Sequence, residues 1–155
     1  MTDLLLTPDG DLELLANDLA LDAGLWSAVV VSVLSDRRVA PEDSPDGTLR
    51  GWWGEDAGDP LGSRLWTLAR EKQLELRLPE IEALVEESLA WLLEDEVAES
   101  VQVQASYPSR ELVEITVRIR RGAAPRWADV WRGARNGRLE RAPYSLAMVL
   151  EDSSA

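Results

Sequence analysis

The chain has 155 residues, a formal net charge of −13, and neither cysteine nor histidine. That length suits one domain with a real core. The two missing residue types exclude disulfides, thiolate zinc sites, cysteine nucleophiles and histidine general bases, the Ser-His-Asp arrangement among them. A metal would need an all-oxygen carboxylate site, and no D-x-D-x-D-G calcium loop is present, so no catalytic residue, cofactor or metal is expected. No apolar run approaches the roughly 18 residues that span a bilayer. Met1-Thr2-Asp3 opens the chain without the basic stretch of a secretion signal, and the expected compartment is the cytoplasm.

Charge is unevenly spread. Residues 1–60 carry 13 acids against 3 bases, residues 61–100 carry 10 against 4, and residues 101–155 carry 6 against 9. The chain is an acidic body with an arginine-rich end, a polarity suited to complementary docking between subunits and equally to a solvated acidic surface with a basic tail.

In chain order, Leu4-Leu5-Leu6, Thr7-Pro8-Asp9-Gly10 and Asp11 to Leu15 predict strand, turn and strand, with Asn17 to Leu21 as a further extended piece. Asp22 is placed to cap a helix whose apolar face is Leu25, Trp26, Val29, Val30, Val33 and Leu34, ending near Asp36-Arg37-Arg38. Residues 39–62 form a long linker with three prolines and five glycines around Gly51-Trp52-Trp53-Gly54-Glu55-Asp56. A double tryptophan is costly to leave in water, so this loop should pack on its own core or on a partner.

Ser63 begins a short helix to about Arg70. A stronger helix is predicted from Pro79 to Glu96, with Ile81, Leu84, Val85, Leu89, Leu92 and Leu93 buried and Trp91 beside them. The period then changes to two. Val101, Val103, Ala105 and Tyr107, followed by Val113, Ile115, Val117 and Ile119, alternate with polar residues and predict an antiparallel hairpin with one buried face. Trp127 to Trp131 is expected as a third strand, residues 132–143 as an arginine-rich loop, and Tyr144 to Leu150 as a last short strand. The predicted class is α+β: a small antiparallel sheet, made of the C-terminal hairpin and the N-terminal strands, packed with two main helices and one short one. Residues 1–132 form the domain, and 133–155 an arginine-rich extension with an edge strand.

Glu55 and Asp56 beside Trp52 and Trp53 could be read as a glycan site, since aromatic rings stack on sugars and paired carboxylates cleave glycosides. Adjacent residues, however, rarely place carboxylates on opposite sides of one bond. Arg118, Arg120, Arg121, Arg126, Arg132, Arg135, Arg138 and Arg141, interleaved with Trp127 and Trp131, are residue types that meet phosphates and bases. The acidic whole opposes nucleic-acid binding. A glycan- or peptidoglycan-binding module and a nucleic-acid binder are therefore the alternatives to a protein that works by protein–protein contact.

Several motifs then act together: Asp3-Leu4-Leu5-Leu6, Asp9-Gly10-Asp11-Leu12, Gly24-Leu25-Trp26-Ser27-Ala28-Val29, Leu34-Ser35-Asp36-Arg37-Arg38, Arg50-Gly51-Trp52-Trp53-Gly54, and Gly62-Ser63-Arg64-Leu65-Trp66 running to Arg70-Glu71-Lys72. Over about Asp3 to Trp131 the chain resembles the Mu-type phage baseplate family that acts as tail-sheath initiator, similar in role to the small wedge protein of larger contractile-tailed phages. The tryptophan-glycine segment and the Gly-Ser-Arg-Leu-Trp segment carry it most specifically.

The resemblance implies a non-enzymatic α+β structural protein, assembled in the cytoplasm and then part of a virion or tail-like particle. It implies a sixfold arrangement, with baseplate wedge subunits and the tail sheath protein as partners and β-strand addition to the first sheath ring. Neither membrane nor nucleic acid enters that role. The residues expected at partner contacts are Arg37, Arg38, Trp52, Trp53, Arg64, Trp127 and Trp131. The stretch after Gly133 departs from the resemblance.

Overall fold

A computed structural model of the chain describes residues 3–4, 14–15, 18–19, 21–22, 25–51, 61–68, 74–109, 112–132, 134–141 and 143–151. The expected turn at Thr7 to Gly10, the Trp52-Trp53 segment with Glu55 and Asp56, and the polar tail after Glu151 lie outside these residues.

The chain begins with four two-residue strands: β1 (Asp3–Leu4), β2 (Leu14–Leu15), β3 (Asp18–Leu19) and β4 (Leu21–Asp22). Three helices follow, α1 (Leu25–Leu34), α2 (Leu78–Ser88) and α3 (Ala90–Glu94). Then come the long strands β5 (Ala98–Ser109) and β6 (Leu112–Arg121), helix α4 (Ala128–Arg132), and strands β7 (Gly137–Arg141) and β8 (Tyr144–Glu151). Single 3-10 turns cover Pro41–Asp43, Leu65–Leu68, Leu74–Arg77 and Pro125–Trp127. The class is α+β. Among the described residues, no helix is long and apolar enough to cross a membrane.

The main sheet has the order β5-β6-β8-β7. β5 and β6 form the hairpin written in the alternating sequence, with Val103 opposite Val117 and Ala105 opposite Ile115. β6 and β8 run parallel, Ile115 opposite Leu146, and β7 closes the far side antiparallel to β8. The sheet is thus mixed rather than wholly antiparallel. The described N-terminal strands pair with each other, β1 with β4 and β2 with β3, because the place beside β6 is filled by β8. The arginine-rich segment after residue 133 supplies two strands of this sheet. Its apolar strand β8 is interior, and the edge is β7, within the stretch expected as loop.

One face of the sheet is the core floor. Val113, Ile115, Val117 and Ile119 are fully buried, joined by Tyr144, Leu146, Met148 and Leu139. Over it lie Leu25, Val29 and Val33 of α1 and Ile81, Val85 and Leu92 of α2 and α3, in one cluster with Leu89. Each such side chain contributes about 1.5–3 kcal/mol on leaving water, which is what holds the valine-rich α1 in helical form. Gly137 of β7 sits against Trp26: a Cβ there would lie 2.6 Å from the indole ring, so the close approach requires glycine.

The predicted helix 79–96 is two helices. Ser88 Oγ donates to Val85 O at 2.7 Å, and Leu89 N–H is shared between Val85 O and Glu86 O. Local competition for one carbonyl breaks the ladder. The turn swings Leu92 into the core and leaves Leu93, expected as buried, 47% exposed. The predicted short helix is the 3-10 turn Leu65–Leu68. Trp127 to Trp131 is helical rather than a strand: Pro125 opens a 3-10 turn that leads into α4. Residues two apart in a strand and four apart in a helix both share a face, so the two tryptophans fit either reading.

Candidate interaction surface

The segment after α1 is stitched to the segment before the Leu65 turn. Ser63 N–H donates to Ser35 O at 2.8 Å and Arg37 N–H donates to Ser63 O at 2.9 Å. Gly62 makes this approach with φ +95, and Ser63 Oγ donates to Val33 O at 2.5 Å. The stitching brings Arg37 and Arg64 to one acceptor on α2. Arg37 NH1 lies 3.0 Å from Glu87 Oε1, Arg64 Nε lies 3.0 Å from the same oxygen, and Arg64 NH2 lies 2.6 Å from Oε2. Arg37 Nε also donates to Gly62 O, and Trp66 Nε1 donates to Arg37 O. The Glu87 hydrogen bond is the main cause that holds the Arg64 guanidinium above its ordinary range. Arg37 and Arg64, two of the expected contact residues, thus meet Glu87 within the chain, while Arg38 is exposed.

Beside this junction the loop 39–51 is built around two residues. Asp46 Oδ1 accepts from Thr48 N–H at 3.0 Å, Thr48 Oγ1 at 2.6 Å and Ser44 Oγ at 3.3 Å. The hydrogen bonds from Thr48, with smaller help from Ser44 and Arg50, lower the Asp46 carboxyl to about 2. Arg50, at φ +50, places its guanidinium 4.5 Å from the Trp66 ring centre and 2.6 Å from Asp36 Oδ2. Arg50, Gly51, Ser35, Asp36 and Leu61 line an open groove of about 640 Å³.

Trp127 and Trp131 meet the turn between α3 and β5. Trp127 Nε1 and Arg126 NH2 both donate to Asp95 O at 2.8 Å, and Trp131 Nε1 donates to Val97 O at 2.9 Å. Trp131 is buried and Trp127 half-buried, so Trp127 is the one with surface to offer. The eight arginines from Arg118 to Arg141 do not gather at one site. Arg118 and Arg120 face Glu151, Arg138 faces Glu114, Arg126 faces Glu96 and Arg132 faces Asp129, at 3.1 to 3.8 Å and largely exposed.

Comparison with known proteins bears on what these surfaces serve. The family model described as "Phage protein GP46" matches residues 25–125. This chain belongs to the phage protein GP46 family. It is 43% identical over 124 residues to the Mu-like prophage FluMu protein gp46 of Haemophilus influenzae, covering 76% of this chain and 87% of that one. It is 40% identical over 99 residues to the baseplate protein gp46 of Escherichia phage Mu, covering 59% of this chain and 68% of that one.

The GP46 match contains the Arg37–Arg64–Glu87 junction, the Asp46 loop and the β5–β6 hairpin, and it stops before α4, β7 and β8. Sequence reasoning missed Glu87, Glu82, Asp46 and Arg50. The first two read as ordinary solvated acids on a helix, and no spacing signals a carboxylate that answers arginines 23 and 50 residues away.

The two edges of the main sheet differ. Val113 N–H donates to Pro143 O, and Leu150 N–H donates to the Asn136 side chain. With the alternation of ladder hydrogen bonds, this turns the backbone groups of Arg138 and Glu140 outward from β7. On β5 the outward set includes Ala105, whose N–H donates to Glu82 Oε1 at 3.0 Å. A carboxylate from α2 thus blocks the β5 edge, whereas the outer side of β7 has no backbone partner among the described residues.

Proposed function

We propose that this GP46-family chain is a structural, non-catalytic component of a contractile phage-type tail baseplate, joining wedge subunits to the first sheath ring by protein–protein contacts and β-strand addition. The observation that carries the reading is its 40% identity with the baseplate protein gp46 of phage Mu. The geometry adds a means. β7 presents outward-facing N–H and C=O groups that an extended segment can pair with, and main-chain pairing supplies affinity without a deep pocket. The β5 edge is guarded by Glu82, so strand addition is assigned to β7.

In this reading Arg38, Trp52, Trp53 and Trp127 contribute contact area, while Arg37, Arg64 and Trp131 set the surface in place. Copies stand in a sixfold arrangement around the tail tube, reached by assembly in the cytoplasm before incorporation in the particle. The test is a protein count and a cross-linking map on purified tail particles. A copy number in baseplate proportion, with cross-links to wedge and sheath subunits, is the expected result. Absence of the chain from the particles would overturn the proposal.

A further inference from the structure

The segment leading into and through β7 carries arginines at every third position: Arg132, Arg135, Arg138 and Arg141, against one acid, Glu140. In a chain of net charge −13 this is a local reversal of sign at the edge with open backbone groups. The four cations are weakly committed. Arg132 reaches Asp129 where both side chains are more than three-quarters exposed. Arg138 stands 3.8 Å from Glu114. Arg141 makes a 3.4 Å contact with Leu34 O. Arg135 is exposed, with no side-chain partner among the described residues. Such exposed pairs contribute little and exchange readily for a better-placed anion.

The opposite edge has the contrary chemistry. Over its twelve residues β5 holds Glu99 and no arginine or lysine, and its Ala105 amide is already answered by Glu82. An acidic strand is repelled there and attracted at β7. The acidic body of the chain does not cancel this at physiological ionic strength, because charges farther apart than about 8–10 Å are screened while neighbours on adjacent strands, about 5 Å apart, are not.

We infer that the β7 edge selects an acidic extended segment of a partner protein. Its residues alternate between apolar side chains continuing the Leu139 face of the sheet and polar ones on the other face, with a carboxylate set opposite Arg138. This rests on the reading of β7 as the accepting edge and adds to it the chemistry of the incoming strand. Specificity then comes from charge and register, as it does wherever like charges on neighbouring strands are penalised. Glu140, two residues on and on the same face as Arg138, takes an uncharged polar residue opposite it, because a carboxylate there would be repelled.

The experiment uses the full chain and two synthetic peptides of one alternating Val–Gln pattern, in one of which every second Gln is replaced by Glu, followed by hydrogen exchange at the β7 amides and by binding at 0.1 M and 1 M salt. The acidic peptide is expected to protect the Arg138 and Glu140 amides and to bind about tenfold tighter than the neutral one at 0.1 M salt, a margin that shrinks at 1 M. The Arg135→Glu, Arg138→Glu double variant, whose changes are on exposed side chains, should lose that preference. Equal binding of both peptides at β7 would overturn the charge selection and leave strand addition standing. If neither peptide protects β7, both readings are overturned. Tight, steeply salt-dependent binding of an oligonucleotide in place of the acidic peptide would overturn the inference in favour of nucleic acid.

Discussion

Arg64 grips Glu87 with two parallel hydrogen bonds, Nε to Oε1 at 3.0 Å and NH2 to Oε2 at 2.6 Å, and Arg37 closes on the same carboxylate from the other side. The planar guanidinium matches the carboxylate in a way an ammonium cannot. Arg64 and Glu87 are each more than a third exposed while Arg37 is only 15% exposed, so the value of the junction is discounted for solvent screening on one side only. Glu87→Ala should cost about 1–2 kcal/mol, seen as a fall in Tm of about 3–6 °C for a chain of this size. Arg64→Lys should recover less than half of the Tm gap between Arg64→Ala and wild type. An unchanged Tm for Glu87→Ala would mean that the Ser35–Ser63 backbone bridge holds the junction alone.

Gly137 faces Trp26 with no room for a methyl group. Gly137→Ala forces either the indole or β7 to shift, and overpacking of this kind costs about 1–3 kcal/mol. Denaturant unfolding should show a lowered midpoint with an unchanged slope, together with altered tryptophan emission. A variant as stable as wild type would show that β7 moves away from α1 at no cost.

Glu82 accepts the Ala105 amide on the outer side of β5, where Ala105 is buried. Leaving that donor without its acceptor should cost about 1–3 kcal/mol in Glu82→Ala. Its effect should also appear in association, because an unguarded edge strand templates pairing with another chain. Light scattering over a concentration series is expected to report larger species for Glu82→Ala than for wild type. Identical profiles would show that α2 shields β5 by bulk alone.

Asp46 carries the pH dependence of its loop. Its carboxyl is held at about 2, below the ordinary 3.8, chiefly by the two hydrogen bonds from Thr48. A depressed carboxylate stabilises the fold fully above the unfolded value, near 4, and loses that contribution as pH falls through 2. The carboxylate is half-buried within its own surface loop, so the effect is local. Exchange of the Thr48 amide should accelerate, relative to loops without such a group, as pH drops from 4 towards 2. In Asp46→Asn that pH-dependent step should be absent.

Much of the architecture is legible in the residues themselves. Val29 and Val33 at helical spacing in α1, Ile81 and Val85 in α2, and the strict alternation of Val113 to Ile119 each name their element and their buried face, since burial enforces one period or the other. Strand direction is not written that way: a period of two is the same for parallel and antiparallel neighbours, and nothing in Tyr144 to Leu150 says that it slots beside β6. β7 is hidden for a different reason, because only Leu139 of its five residues is buried and the arginines around it look like loop. The contact residues divide similarly. Exposure of Arg38 follows from its polarity, whereas the commitment of Arg37 and Arg64 to Glu87 depends on tertiary proximity that no local pattern encodes.

The parallel pairing of β6 with β8 sets an order of events on the ribosome. When synthesis has passed α4, the hairpin exists with one side of β6 bare, and β7, emerging next, has nothing to pair with. Only when β8 follows can it enter between them and complete the core floor. Until then the nascent chain exposes an apolar strand at its margin, so this is the interval in which a chaperone, or a premature neighbour, has access to it.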